Sequence, residues 1–415
     1  MARAGVRLSP DHARRVVIAA QGLVPPPHLG LGQALERTSF VRTLGGVEAY
    51  LALRARVKGF RPASLHAAMQ AGEVQVVPAV RGCMYLLSRA HVPGALRLAE
   101  SLSRPKEEKV EARAGIKKGE LQKLGRQVVA CLRKEGPLAT DALRKTLPEG
   151  AVRSLGEAGK KLGVSSPLPP ALRVLEFEGA VARLAEGGRL DTERYAWRVP
   201  SPSPFAGAKL PKDAVALLAG VAATFLRAAG IGRLKDLAAW AGVAQRDAAA
   251  AVESLGAVAV EVEGEKDARL ALPSVLKELG EARQADEALA FLPFEDNVFA
   301  LQGTPALLLA PARRGFVVPS WDGKKKVALG EAGHLAYRPL LAEGRLAGFW
   351  EFDPGPGTVV FGCFDPVSPA TRRRLAAEAE AVGRFLAEEV GHGRSFSLDT
   401  DAALAQRARF VKGLK

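Results

Sequence analysis

Three stretches of this 415-residue chain run through one order of elements, helix–helix–helix–hairpin, and such repetition commits a chain to building its fold from copies of one unit. The clearest copy begins at Glu120. Leu121, Leu124, Val128 and Leu132 fall on one face at helical spacing, and Gly136-Pro137 ends that helix. Thr140 is placed to cap a second helix over residues 141–147. A Pro/Gly-rich connection leads to a third helix over 170–177, stopped at Gly179; 180–184 and 195–199 then read as strands around Gly187-Gly188. The first copy ends alike: a helix over 62–71, a stop at Gly72, and strands 73–77 and 83–88, with Tyr85 paralleling Tyr195. The third copy spans 211–264, with helices over 214–229, 234–241 and 246–255, a strand over 257–262 and a stub of a hairpin. Gly230-Ile231-Gly232 reads as the loop between its first two helices.

Beyond about residue 288 short apolar runs (289–292, 306–309, 315–318, 346–352, 359–364) alternate with turns such as Asp322-Gly323 and 354–357. That pattern predicts an antiparallel β-rich module, a small barrel or curled sheet. A helix over 369–390, capped by Ser368, follows, and the chain after Gly391 is expected to be ordered weakly or not at all. The expected class is therefore α+β. Residues 1–112, 113–208 and 209–286 form three tandem winged helix-turn-helix units, and 287–415 a C-terminal β-barrel-like module with a terminal helix. In a winged unit the third helix normally enters a DNA groove and the hairpin touches backbone or minor groove.

With 48% hydrophobic and 25% charged residues the composition is that of globular domains. No apolar run approaches the roughly 20 residues that span a bilayer, and residues 1–10 carry arginines without the apolar core of a signal peptide. Cys83, Cys131 and Cys363 are scattered, with no CxxC pair, which points to a reducing compartment, hence the cytoplasm. The six histidines show no ligand spacing, so no structural metal is expected. No GxxxxGK[ST] or GxGxxG stands between a strand and a helix, so no nucleotide cofactor is expected either.

Charge is more specific. Lys and Arg number 59 against 44 Asp and Glu, a net +15, unevenly placed: residues 1–61 hold ten bases and three acids, and 104–161 fifteen bases and eight acids. Such a field attracts polyanions, because each neutralised phosphate releases a condensed counterion; the alternatives are a solubility surface or a membrane surface, and no cationic amphipathic helix with aromatic anchors supports the latter.

Several strings in order along the chain carry a resemblance: Leu44-Gly45-Gly46-Val47, then 50–56 (YLALRAR), 81–86 (RGCMYL), Arg194-Tyr195-Ala196, 292–296 (LPFED) and Gly348-Phe349-Trp350. The chain resembles, over nearly its whole length, the winged-helix DNA glycosylases of the AlkZ/YcaQ type. The resemblance implies three tandem winged units and a C-terminal barrel around double-stranded, damaged DNA, excision of alkylated or crosslinked bases, no cofactor and a monomer. Relatives carry a Gln-x-Gln or Gln-x-Asp pair just after the Leu-Gly-Gly element, held to position the attacking water. Here that place reads Glu48-Ala49-Tyr50, or, in a shortened alignment, the pair is absent; the histidine of the relatives' RGTxHL string is replaced by Tyr85.

Base excision needs an extruded nucleotide and a group that orients water beside an oxocarbenium-like sugar. Glu48 is the one acid between Arg37 and Gly72, among Arg42, Arg54, Arg56, Lys58 and Arg61, which would keep it ionised. Glu48 is thus the candidate water-orienting group, and Tyr50 could bond that water or stack on the base; the competing reading puts Glu48 at a helix N-terminus and Tyr50 in packing. Candidate DNA contacts are Arg42, Arg54, Arg56 and Lys58, with Arg54 and Lys58 on one helical face at i, i+4, and Arg81, Arg189 and Arg194 on the hairpins. Asp296 reads as a turn-capping residue, and 324–326 (KKK) as a solvated loop. A non-catalytic DNA binder and a winged-helix scaffold for protein contact are the competing functions.

Overall fold

A serine, a proline and a glycine frame the first helix. Ser9 Oγ accepts the backbone N–H of His12 at 3.3 Å, Pro10 occupies the first helical position, and Gly22 follows the helix at φ +67°. The computed structural model describes residues 5–414. It divides into two compact units, one of Met1–Leu65 with Ala219–Lys415, the other His66–Leu218, and each has its own buried apolar cluster. The fold is α+β. Among the described residues no helix is long and apolar enough to cross a membrane, and no cluster of three or more His, Cys, Asp or Glu could hold a metal ion.

The chain opens with β1 (Val6–Leu8), α1 (Pro10–Ala20), α2 (Leu31–Thr38), the two-residue β2 (Val41–Arg42), α3 (Glu48–Arg54) and α4 (Pro62–Gln70), which runs into the second unit. There β3 (Val74–Pro78) and β4 (Met84–Ser88) form an antiparallel hairpin in register from Val74↔Ser88 to Pro78↔Met84, and the 22-residue α5 (Val92–Arg113) follows. Next come α6 (Glu120–Glu135), β5 (Leu138–Ala139), α7 (Thr140–Thr146), α8 (Gly156–Lys161), α9 (Leu168–Phe177), β6 (Ala182–Ala185) and β7 (Tyr195–Arg198), the last three strands ordered β5-β7-β6. Leu121, Leu124, Val128 and Leu132 of α6 are all buried against Leu168, Leu172 and Leu175 of α9 and Trp197 of β7. Two expectations need correction here. Thr140 does not cap α7 but is its first residue; its hydroxyl accepts the indole N–H of Trp197 at 3.0 Å. The Pro/Gly-rich connection holds α8, a helix too short to show a periodicity in sequence.

The chain returns through α10 (Ala214–Ala229), α11 (Leu234–Ala241) and α12 (Gln245–Glu253) to β8 (Val258–Val262) and β9 (Arg269–Ala271). The hairpin expected as a stub is a full pair, and β1 joins its outer edge in parallel, giving the order β1-β8-β9. After α13 (Pro273–Leu279) come β10 (Ala290–Phe291), α14 (Asn297–Ala300), the pair β11 (Val317–Pro319) and β12 (Lys326–Ala328), then β13 (Arg338–Ala342), β14 (Arg345–Asp353) and β15 (Thr358–Cys363). The main sheet is antiparallel, ordered β10-β13-β14-β15, with a register shift at Leu340/Leu341. The run at 306–309 is not a strand: Pro305–Leu308 is a 3-10 turn that starts with proline and buries its leucines. Ser368 caps α15 (Pro369–Arg384) by accepting from Thr371 N–H, and the helix continues as a π turn, Phe385–Val390.

The chain after Gly391 overturns the expectation of weak order. It forms α16 (Asp401–Lys412), which buries Leu404, Ala408 and Val411. The spacing of those three residues is a helical signal.

Candidate functional site

Glycine chemistry places the first candidate. Gly45 and Gly46 take φ of +71° and +65°, and a Cβ on Gly46 would collide with the backbone of Arg394 to Phe396. The segment after Gly391 is therefore pressed against the Leu-Gly-Gly turn, and Val47 N–H donates to Arg394 O at 2.9 Å. The turn delivers Glu48 as the first residue of α3.

Glu48 is 5% exposed. Its Oε1 accepts from Arg338 Nε at 3.0 Å and Nη2 at 2.6 Å, and its Oε2 accepts the backbone N–H of Phe294 at 2.6 Å. Arg338, fully buried, also donates to Glu351 Oε1 at 2.5 Å and to Gly393 O at 2.8 Å. Glu351 Oε2 accepts from Arg407 Nε at 2.5 Å, and Arg407 Nη2 donates to Asp399 Oδ2 at 2.6 Å. The result is an alternating chain of charges, Glu48–Arg338–Glu351–Arg407–Asp399. The Arg338 guanidinium lies 5.6 Å from the ring centroid of Phe294 and 5.0 Å from that of Trp350. Burial pushes Glu48 above the ordinary carboxylate range despite Arg338, and Glu351 adds to the rise. Burial works against charge on Arg338 too, but Glu351 and Glu48 outweigh it and hold the guanidinium charged.

A second chain starts in the Leu292–Asp296 loop. Asp296 caps α14 by accepting from Val298 N–H, and takes a two-pronged bond from Arg56 at 3.0 and 2.7 Å. Arg56 is fully buried and also donates to Gln21 O, Gln21 Oε1 and Ala52 O. Glu295, at φ +55°, accepts from Arg42 Nη1 at 3.0 Å and from His334 Nδ1 at 2.6 Å. Trp350 Nε1 donates to Leu292 O at 2.8 Å. The strings around residues 44, 56, 294 and 350 thus meet in one place within the first unit.

The structure places the candidate residues of the sequence in quite different surroundings. Both Glu48 oxygens are taken up by protein donors, and the cavity it borders with Arg42, Arg56, Glu295 and Asp296 is about 20 Å³, room for about one water and far too small for a nucleobase. Glu48 therefore cannot meet a sugar as it stands, and Tyr50, 1% exposed, cannot stack on an extruded base. Arg56 cannot reach a phosphate. Arg54 is tied to Glu378 at 2.5 Å and packed over Phe385, and α3 ends with it, so Lys58 shares no helical face with it. Arg42 is committed to Glu295, and Arg189 to the buried carboxylate of Asp191 at 2.8 and 2.5 Å. Lys58, Arg81 and Arg194 are exposed, Arg81 bonding Tyr85 Oη at 3.3 Å. Sequence reasoning missed Arg338, Glu351, Arg407 and Asp399. For Arg338 and Glu351 the one signal is a lone charge in an apolar strand, in 338–342 (RPLLA) and 349–352 (FWEF); Arg407 in α16 and Asp399 before it leave none.

The turn, the loop and the sheet that carries Trp350 are parts of a known kind of protein. Residues 28–385 match the family model described as DNA glycosylase AlkZ-like, and the chain belongs to that family. Among solved structures it is similar to the DNA glycosylase AlkZ of Streptomyces sahachiroi, at 18% identity and a TM-score of 0.67, over 94% of this chain and 98% of that one. No curated protein matches it by sequence.

Proposed function

We propose that this protein binds duplex DNA as a repair protein of the glycosylase family, through three tandem winged-helix units, and that Glu48 braces the fold instead of cutting. The order α6, β5, α7, α8, α9, β6, β7 with a β5-β7-β6 sheet supports the winged reading, as does the shorter sequence α10, α11, α12, β8, β9. The expected partition is 1–112, 113–208, 209–286 and 287–415. Lys58, Arg81 and Arg194 remain the contacts that this reading assigns to phosphate.

The observation that carries the reading of Glu48 is its burial, with both oxygens accepting from Arg338 or Phe294 N–H. A carboxylate that orients water for attack needs a free lone pair facing the substrate. Excision of alkylated or crosslinked bases is the second reading, favoured by the family. In this chain it would have to run through accessible groups, of which the His334 imidazole, 55% exposed and bonded to Glu295, is one.

The test is incubation of duplexes bearing N-alkylated purines or an interstrand crosslink with the protein and with Glu48→Gln, followed by alkaline cleavage of abasic sites. DNA binding with no Glu48-dependent scission is expected. Scission by the natural protein that Glu48→Gln abolishes, with binding and fold intact, would overturn the assignment.

A further inference from the structure

The helix expected to meet DNA in the second unit is α9, and it is not equipped to do so. Its one base, Arg173, is spent inside the unit: Nε stands 3.6 Å from Glu107, Nη2 donates to Gly82 O at 3.3 Å, and the guanidinium lies over Phe177. The cations are on α6.

The charge of the molecule is concentrated in this unit, with 25 bases against 16 acids in His66–Leu218 and 34 against 28 in the longer remainder. At 3.6 residues per turn, Arg126 and Arg133 share one stripe of α6 with Gln122, flanked by Lys123 and Lys134, opposite the buried face of Leu121, Leu124, Val128 and Leu132. Lys117 and Lys118 lead into it. Lys117, Lys118, Lys123, Arg126 and Arg133 are exposed and, among the described residues, enter no ion pair. Of the acids at the helix ends, Glu120 is bound to Arg153 at 2.8 Å, and Glu135 neutralises the flanking Lys134 at 3.0 Å, which leaves Lys123, Arg126 and Arg133 as the cations of the stripe.

A merely solvated helix face interleaves acids with bases. The neighbouring α5 does so, with Arg104 shared among Glu107, Glu108 and Glu111. The α6 stripe does not. A groove of about 530 Å³ runs beside it, lined by Arg126, Val129, Arg133, Val174 and Leu175, with Glu178 its one acid. Seven residues of helix separate the two arginines by about 10 Å, comparable with the ~12 Å width of a major groove, so the pair can reach phosphates on both of its edges.

We propose that α6, not α9, is the DNA-backbone surface of the second unit, with Lys123, Arg126 and Arg133 as its phosphate ligands. The proposal rests on the DNA-binding reading above. Its test is fluorescence anisotropy of a labelled duplex with the full chain, with Arg126→Ala/Arg133→Ala, and with Arg173→Ala as control, over a salt series, circular dichroism verifying the fold of each. Each lost phosphate contact removes about 0.9 from the slope of log affinity against log salt, so the double variant should be shallower by about 1.8. From about 50 to 200 mM salt the natural protein would then lose roughly tenfold more affinity than the variant. Arg173→Ala should keep the natural slope. A double variant with the natural slope removes α6 from the interface while leaving DNA binding intact, and so does a loss confined to Arg173→Ala. A natural protein whose affinity ignores salt overturns the DNA reading itself.

Discussion

At Glu48 two demands meet that a single carboxylate cannot satisfy. Catalysis requires an oxygen facing substrate; burial beside Arg338 requires both oxygens to face protein donors, because an unpaired buried charge costs several kcal/mol. In the structure both oxygens face protein donors. Removing the carboxylate with Glu48→Ala should therefore destabilise the protein by about 3–5 kcal/mol, read from urea midpoints. The pH dependence has a definite sign. Because burial raises Glu48 above its ordinary 4.5, the unfolded chain releases this proton first as pH rises, and the residue's contribution to stability declines with pH from there upward. Relative to Glu48→Gln, the natural protein should lose ground in urea titrations as pH climbs from 4.5 towards neutrality. A gap that widens in its favour instead would mean that the Arg338 attraction outweighs the burial. None of this was legible around residue 48: Glu48 and Arg338 lie 290 positions apart and their pairing leaves no local trace.

At the scale of elements, periodicity and caps served well where a helix buries a continuous face. The expected spans 214–229 and 234–241 coincide with α10 and α11, and Ser368 caps α15. They failed for elements too short to show a period: α8, the 3-10 turn at Pro305–Leu308, and the three-residue β9, whose partner strand lies across a loop. The α16 segment was readable, since Leu404, Ala408 and Val411 are helically spaced, but its polar surroundings hid it. Its docking explains Gly46. Gly46→Ala adds a left-handed alanine and a collision with the Arg394–Phe396 backbone, and should cost about 3 kcal/mol or more in thermal or urea unfolding. Gly115→Ala, at φ +82° in open space, should cost only about 1 kcal/mol. Equal costs would show that the C-terminal segment does not press on the turn.

At the scale of the whole molecule, the strings scattered along the sequence made sense only in three dimensions. Those at 44–47, 50–56, 292–296 and 348–350 converge because Phe294 N–H, Asp296 and Trp350 bind Glu48, Arg56 and Leu292 in turn. Recognition of the family from these strings agrees with the match over residues 28–385. The charge pattern was legible as well, but not which cations are spent: Arg42, Arg54, Arg56 and Arg189 read as phosphate ligands in sequence and are bound to carboxylates in the fold. What remains, among the described residues, is a set of exposed cations outside the ion pairs, such as Lys123, Arg126 and Arg133, which bound duplex DNA would neutralise. The direct measurement is the affinity of the full chain for a short duplex across a salt series. A straight fall of log affinity with log salt is expected, with a slope of about −3 or steeper, as several phosphate contacts require. Binding that is absent at low salt, or present and unchanged as salt rises, would contradict it.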